Sequence, residues 1–526
     1  MSARFAGTGA LVRLALRRDR VRLTVWVVVL VAIIAVNAQS VLSIYTEPEL
    51  AAYARTADAN ATLVALSGPA RGLETFGGRV AFEIWQLAMA MGLLGLLTVV
   101  RHTRHEEEAG RSELVRATVV GRHAHSLAAL IVASGASLAV GLASAVLLAV
   151  QDLPVTGSLV LGLGLASVGL SFAAIGLVAA QVTEHGRAAS GLAVGVMGAT
   201  YVARAVGDIG SGALSWASPF GWAQAADPYT GDRWWPLVVP VVVGGLLIGA
   251  GFAIESRRDV GAGLVPPRPG PPRAGAGLGT PLGLAWRLQR ATLLAWTVGA
   301  ALLALAMGSV AESADDLVGD NQQIRDYLAS VEGATLADVF LATVLLYLAL
   351  VAAGYAVQAG LRARAEETSG RGETVLATAT SRVAWAGGQL LVAAGGAVVV
   401  LGVSGAALGL AYGLAVGDLG EVPRLMVAAA ALLPPVAVAL AVATAVFGVR
   451  PGATAAAWSV IAVSAVVGVL GDGLDLPGWL RDASPFTPVP AVPAAPVAAV
   501  PLVVLSALAA VLATTGLAAL RRRDIG

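Results

Sequence analysis

Residues 106–122 read EEEAGRSELVRATVVGR, and residues 366–382 read EETSGRGETVLATATSR. The two align without a gap at an offset of 260. Nine of the seventeen positions are identical, among them Glu106/Glu366, Glu107/Glu367, Gly110/Gly370, Arg111/Arg371 and Glu113/Glu373. Connecting segments normally drift faster than the elements they join. A charged loop kept twice in one chain therefore points to an internal duplication, which decides the fold and has to be recognised first. Three further matches occur in the same order. ASPF at 217–220 returns at 483–486, and RRDVG at 257–261 returns as RRDIG at 522–526. A basic amphipathic stretch leads to Trp26 in the first copy and to Trp296 in the second. These matches divide the chain into halves at 1–262 and 280–526. The segment between them, 263–279, is rich in Pro, Gly and Arg and reads as an extended linker.

Working outward from the loops, the charges separate long uncharged stretches: 23–46, 84–100, 126–151, 153–183, 188–203, 234–254, 291–311, 339–361, 383–417, 425–449, 451–471 and 483–520. A helix needs roughly 20 apolar residues to cross the hydrocarbon of a bilayer. All twelve stretches approach or exceed that, with 188–203 the shortest. Only 13% of the 526 residues are charged, and the mean hydropathy is +0.79. A soluble chain could not bury that much apolar surface, whereas lipid can serve as its solvent. No polar–apolar alternation of the kind a membrane β-barrel requires is visible. The expected fold is an all-α polytopic membrane protein with about twelve transmembrane helices. Six helices per half give both copies the same orientation, so the two parallel six-helix repeats should be related by pseudo-two-fold symmetry about the membrane normal.

Charge fixes the expected orientation. With the N-terminus in the cytoplasm, 26 of the 34 basic residues fall on the inside and 8 on the outside, as the positive-inside rule demands. Both termini are then cytoplasmic, in a bacterial cell membrane. The first apolar run is too long for a signal-peptide core and lacks a small-residue cleavage site. Cysteine is absent and every basic residue other than His is arginine. Disulfides and thiolate metal sites are thereby excluded. The Ala, Val, Gly, Leu and Arg bias points to a high-GC, actinobacterial genome. The missing lysine also excludes a phosphate-binding P-loop, whose lysine reaches the phosphates.

The loops at 106–122 and 366–382 carry the most specific signal. Beyond the glycine each can form a short helix, with Leu114, Val115, Thr118 and Val119 on one side in the first copy. Glutamates at the start of such a helix would suit its dipole. A charged short helix projecting twice into the cytoplasm suits docking to a two-fold symmetric partner. With the EExxGRxE signature, the ASPF stretch and the terminal RRD[VI]G, the six-helix unit resembles the permeases of ABC-type exporters that carry an amphipathic helix before the first span. The fused form resembles the twelve-helix permeases of actinobacterial multidrug and polyketide-antibiotic exporters. The resemblance spans nearly the whole chain. It implies that 106–122 and 366–382 are coupling helices seated in clefts of a separate P-loop ATPase, present in two copies. The ATPase-coupling residues would be Glu106, Glu107, Glu108, Arg111, Glu113 and Arg116, with Glu366, Glu367, Arg371 and Glu373 in the second copy. ATP and Mg²⁺ would be bound by the partner, and no cofactor by this chain. The cargo would be a hydrophobic or amphipathic drug, antibiotic or lipid moved out of the cell.

Other features are read more plainly. The basic stretch before the first span (Arg13, Arg17, Arg18, Arg20, Arg22) reads either as an interfacial helix or as a topology signal alone. Polar residues within the spans, Asn37, Gln39, Gln86 and Gln358, are candidates for the substrate path, although interhelical hydrogen bonds are the commoner role. Arg204 and Asp208, four residues apart, should form a local ion pair. The histidines at 102, 105, 123 and 125 read as exposed and weakly partnered, so no metal site is expected. No nucleic-acid partner is expected either. The competing function is an ion-coupled secondary transporter, which normally needs buried ionisable groups in mid-span. These spans are nearly free of them.

Overall fold

The computed structural model describes residues 3–59, 61–266, 270, 272–311, 335–470 and 477–524. Among them there are helices and no strands, and twelve helices are long and apolar enough to cross a membrane. They are α1 (Thr8–Ile44), α2 (Phe76–Glu108), α3 (Ala124–Val150), α4 (Val155–Val182), α5 (Gly186–Ile209), α6 (Trp235–Arg257), α7 (Pro281–Val310), α8 (Leu336–Thr368), α9 (Arg382–Val416), α10 (Glu421–Val449), α11 (Pro451–Gly468) and α12 (Ala499–Arg522). The chain forms two compact units, Met1–Gly270 and Pro271–Gly526, divided within the Pro- and Gly-rich segment.

Three expectations change. The stretch 483–520 is not one span. Only Ala499–Arg522 is a continuous helix, because prolines at 485, 488, 490, 493 and 496 remove the backbone donors that a helix interior needs. The basic stretch before the first span is not a separate helix, since α1 runs unbroken from Thr8 to Ile44. Between residues 10 and 44 there is neither glycine nor proline to stop it. Finally, the shortest predicted span extends to 24 residues as α5.

In the first unit α4 is the central element. Leu161, Leu165, Val168 and Phe172 on it are fully buried. α1 and α6 instead turn many large apolar side chains outward, including Val28, Ile33, Val241 and Leu246, as helices solvated by lipid do. Close packing rests on glycine. A Cβ on Gly141 of α3 would lie 2.3 Å from the Gly162 carbonyl oxygen of α4, and one on Gly162 would lie 2.2 Å from the Gly141 oxygen. Small residues let membrane helices approach backbone to backbone. Gly162→Val should therefore force α3 and α4 apart at a cost of about 1–3 kcal/mol or more. Its thermal midpoint in detergent should fall by several degrees. Gly135→Val, on α3 but with no atom within 4 Å of its Cβ, should leave the midpoint unchanged.

In the second unit α8 is the core helix, with Leu341, Leu345, Leu348, Ala352 and Tyr355 fully buried. Its start is fixed by a capping box between Thr335 and Asp338. Gly448 of α10 meets the Gly516 carbonyl of α12, where a Cβ would lie 2.1 Å from the oxygen. The ASPF stretch of this unit turns Phe486 inward, and Ser484 donates to Ser464 at 3.2 Å.

The segment after α1 contains the short helices Glu47–Ala59 and Ala61–Ser67. Residues 312–334 and 471–476, within the acidic and Pro-rich segments that follow α7 and α11, lie outside the described residues. Between α5 and α6, Trp216 and Trp235 stack with ring centroids 5.3 Å apart. Nearby Tyr229 packs its ring on Gly77 and Gly157, and burial pushes its phenol up to about 12.

Candidate functional site

The site is built twice, once in each unit, where the second span of that unit ends. In the first unit α2 continues through Glu108, and Gly110 then turns the chain with φ +70°. The short helix Arg111–Arg116 follows. In the second unit Gly370 turns with φ +71° and Arg371–Leu376 follows α8. Both glycines have open space at the Cβ position, so the left-handed backbone alone explains the residue. Gly110→Ala should accordingly cost about 1–2 kcal/mol. Gly110→Asn should cost less, because asparagine tolerates this conformation. Thermal midpoints should rank Gly110, then asparagine, then alanine.

The glutamates before the glycine lie in the short helices Arg104–Glu108 and Arg362–Thr368 that close the second span of each unit, not in the helix beyond the glycine. This corrects the reading that they serve the dipole of that later helix; only Glu113 and Glu373 lie in its first turn. Glu106 is buried. It accepts from Arg18 of α1 at 2.6 Å and from Arg111 Nε and Nη2 at 2.8 and 3.0 Å. Those hydrogen bonds raise the Arg111 guanidinium above its ordinary value. Glu107 accepts from Arg104 at 2.9 Å and from Arg258 Nη2 at 2.9 and 3.0 Å. Arg104 also donates to the carbonyls of Ala180, Gly261 and Ala262. Arg258 in turn donates to Gln181 at 2.7 Å. The EExxGRxE loop and the RRDVG terminus are thus two sides of one buried ion network.

The second unit repeats the outline with different partners. Glu367 pairs with Arg364 at 3.3 Å and Arg523 at 3.0 Å. Arg382 donates to the Arg523 carbonyl at 2.5 Å. Glu366 takes Arg362 at 3.4 Å and the Trp385 indole at 3.3 Å. Its link to the first helix of the unit is missing, because Leu288 stands where the first copy has Arg18.

This network holds an outward face. Glu108, Arg111 and Glu113 are exposed in the first copy, as are Arg371 and Glu373 in the second. The Arg116 side chain lies outside the described residues. Glu108 accepts from the Gly186 backbone at the start of α5 at 3.0 Å. At the tip, Leu114 is 75% and Val119 94% exposed. Their aligned counterparts Thr374 and Ala379 are also exposed. Val115 and Val120 point the other way and pack with Leu11, Ala124 and Ala128. The N-terminal segment adds stitches, with Gly121 N–H donating to Ala6 and His123 N–H to Arg4.

The four substrate-path candidates occupy different local settings, three in the first unit and Gln358 in the second. Asn37 donates to Glu83 at 2.5 Å, and Glu83 is paired with Arg79. Gln86 donates to Ser67 at 3.0 Å, Gln39 is exposed, and Gln358 accepts from the Trp296 indole at 2.7 Å. Arg204 and Asp208 pair as expected at 3.2 Å. The histidine reading is corrected. His102 and His123 are buried, and each meets a carboxylate: Asp19 at 3.0 Å and Glu255 at 2.9 Å. The available signal was an acid inside an apolar helix on a neighbouring segment, Asp19 in α1 and Glu255 in α6.

Twelve helices of membrane-crossing length, with charged loops built onto their ends, define a multi-pass membrane protein. Over 528 residues, 99% of this chain and 96% of the relative, the sequence is 42% identical to the multidrug efflux system permease protein Rv1217c of Mycobacterium tuberculosis. Residues 278–521 match the family model described as multidrug efflux system permease Rv1217c, C-terminal domain. The chain belongs to the family of that permease.

Proposed function

We propose that the chain is the membrane subunit of an ABC-type exporter that moves hydrophobic or amphipathic compounds out of the cell. A separate P-loop ATPase, in two copies, binds ATP and Mg²⁺ and docks on Arg111–Arg116 and Arg371–Leu376. Both termini and both loops face the cytoplasm. The observation that carries this reading is the contrast within each loop. Glu106, Glu107, Glu366 and Glu367 are locked in buried ion pairs, while the short helix beyond the glycine is exposed. A rigidly seated projection transmits displacement to the spans, which a solvated loop would not do. The buried glutamates are then positioning residues, and Arg111, Glu113, Leu114 and Val119 are the contact surface. The relative's name supports drug-like cargo. Ion coupling is disfavoured by the ionisable groups within the spans. Arg79–Glu83 and Arg204–Asp208 are local pairs, and His102–Asp19 and His123–Glu255 lie toward helix ends, outside mid-span. The test is to co-express the chain with the P-loop ATPase expected in the neighbouring reading frame and reconstitute both in liposomes. Drug-stimulated ATP hydrolysis and ATP-dependent drug movement are expected. Drug movement driven by an ion gradient with the ATPase omitted would overturn the reading.

A further inference from the structure

A groove of about 440 Å³ runs between α1 and α3 of the first unit. Its walls are apolar, with Val12, Leu16 and Val27 on α1 facing Ile131, Gly135 and Ala139 on α3. Its floor is open at Gly135, whose Cβ position has no neighbour within 4 Å. Three exposed arginines, Arg13, Arg17 and Arg20, lie on the same helix. At about 100° per residue they fall in the angular sector spanned by the groove-lining residues Val12, Leu16, Thr24, Val27 and Val28. Arg18 and Asp19 fall outside that sector and turn to α2, where they pair with Glu106 and Arg101. Arg13, Arg17 and Arg20 make no ion pair among the described residues.

We infer that this groove binds one anionic phospholipid, its phosphate held by Arg13, Arg17 and Arg20 and an acyl chain laid along Leu23, Val27 and Gly135. Guanidinium groups match phosphate oxygens in pairs, and arginines at a membrane surface attract anionic headgroups. The apolar walls give a soluble anion nothing to bury, so the occupant is amphiphilic. Charge distinguishes the headgroup, because three guanidiniums without carboxylates favour net negative lipid over zwitterionic lipid. The second unit keeps two of the three, Arg287 and Arg290 aligning with Arg17 and Arg20, but has Gly283 in place of Arg13 and the bulkier Trp286 in place of Leu16.

The test is native mass spectrometry of the full chain in detergent, titrated with phosphatidylglycerol or with phosphatidylcholine. Wild type should retain phosphatidylglycerol and hold phosphatidylcholine much more weakly. The triple variant Arg13→Gln, Arg17→Gln, Arg20→Gln should lose roughly a hundred-fold in affinity for phosphatidylglycerol. Gly135→Leu keeps the arginines and fills the open space, so it should fold as wild type and also lose the lipid. Equal retention of the two lipids by wild type would overturn the inference. So would an unchanged arginine variant, retention by Gly135→Leu, or displacement of the lipid by inorganic phosphate.

Discussion

Glu107→Ala is expected to lower the thermal midpoint of the purified protein by roughly 10 °C and to abolish transport. The carboxylate sits between two guanidiniums, and the side chains of Arg104 and Arg258 are 0% and 7% exposed. Removing it leaves like charges buried against each other. Breaking a buried pair by deleting one partner costs about 3–5 kcal/mol. The backbone carbonyls that Arg104 retains place the value toward the lower end. Glu107→Ala combined with Arg258→Leu removes one of the stranded charges and should recover part of the midpoint, as coupled residues do. Glu113→Ala, exposed on the same loop, should stay within about 0.5 kcal/mol of wild type. Differential scanning fluorimetry in detergent checks all three. If Glu107→Ala and Glu113→Ala shifted the midpoint equally, the buried network would have no structural role.

The second large effect lies in association, not in stability. Leu114→Asp with Val119→Asp should abolish retention of the ATPase while moving the thermal midpoint by no more than about 1 °C. Neither side chain contributes to the folded unit, being 75% and 94% exposed. Burying a leucine at an interface is worth about 1.5–3 kcal/mol, and a carboxylate forced into the same apolar cleft adds a desolvation cost of several more. Together they weaken docking by well over a hundred-fold. Thr374→Asp with Ala379→Asp should weaken it less, because those side chains offer little apolar area to lose. Pull-down of the ATPase by the tagged chain, with the two double variants in parallel, measures both effects.

Much of this was legible in the residues themselves. Twelve uncharged stretches of membrane-spanning length leave a chain little choice but helix, since lipid cannot satisfy an open backbone. The short helices beyond Gly110 and Gly370 were legible too, while the left-handed turn at each glycine came from the structure. Other features depended on tertiary context. Glu106 and Glu107 look like loop charges until Arg18, Arg104 and Arg258 converge on them. Those partners are 88, 3 and 151 residues away. Residues 483–498 read as apolar, and hydropathy alone hides the prolines that prevent a helix there. His102 and His123 seemed exposed because they sit at loop edges, while their buried partners lie on other helices.

The central claim is that Arg111–Arg116 and Arg371–Leu376 seat in an ATPase, and composition makes its test unusually clean. The chain has no cysteine and no lysine. A thiol introduced by Leu114→Cys or Thr374→Cys can therefore be joined by a thiol-to-amine cross-linker only to another polypeptide, the N-terminal amine aside. In membrane vesicles containing the partner ATPase, both positions should give a cross-linked product of the chain plus the ATPase. A thiol introduced by Trp235→Cys, on the opposite side of the membrane, should give none. Absence of the product from both loops in vesicles that still show ATP-driven export, or equal product from position 235, would contradict the account.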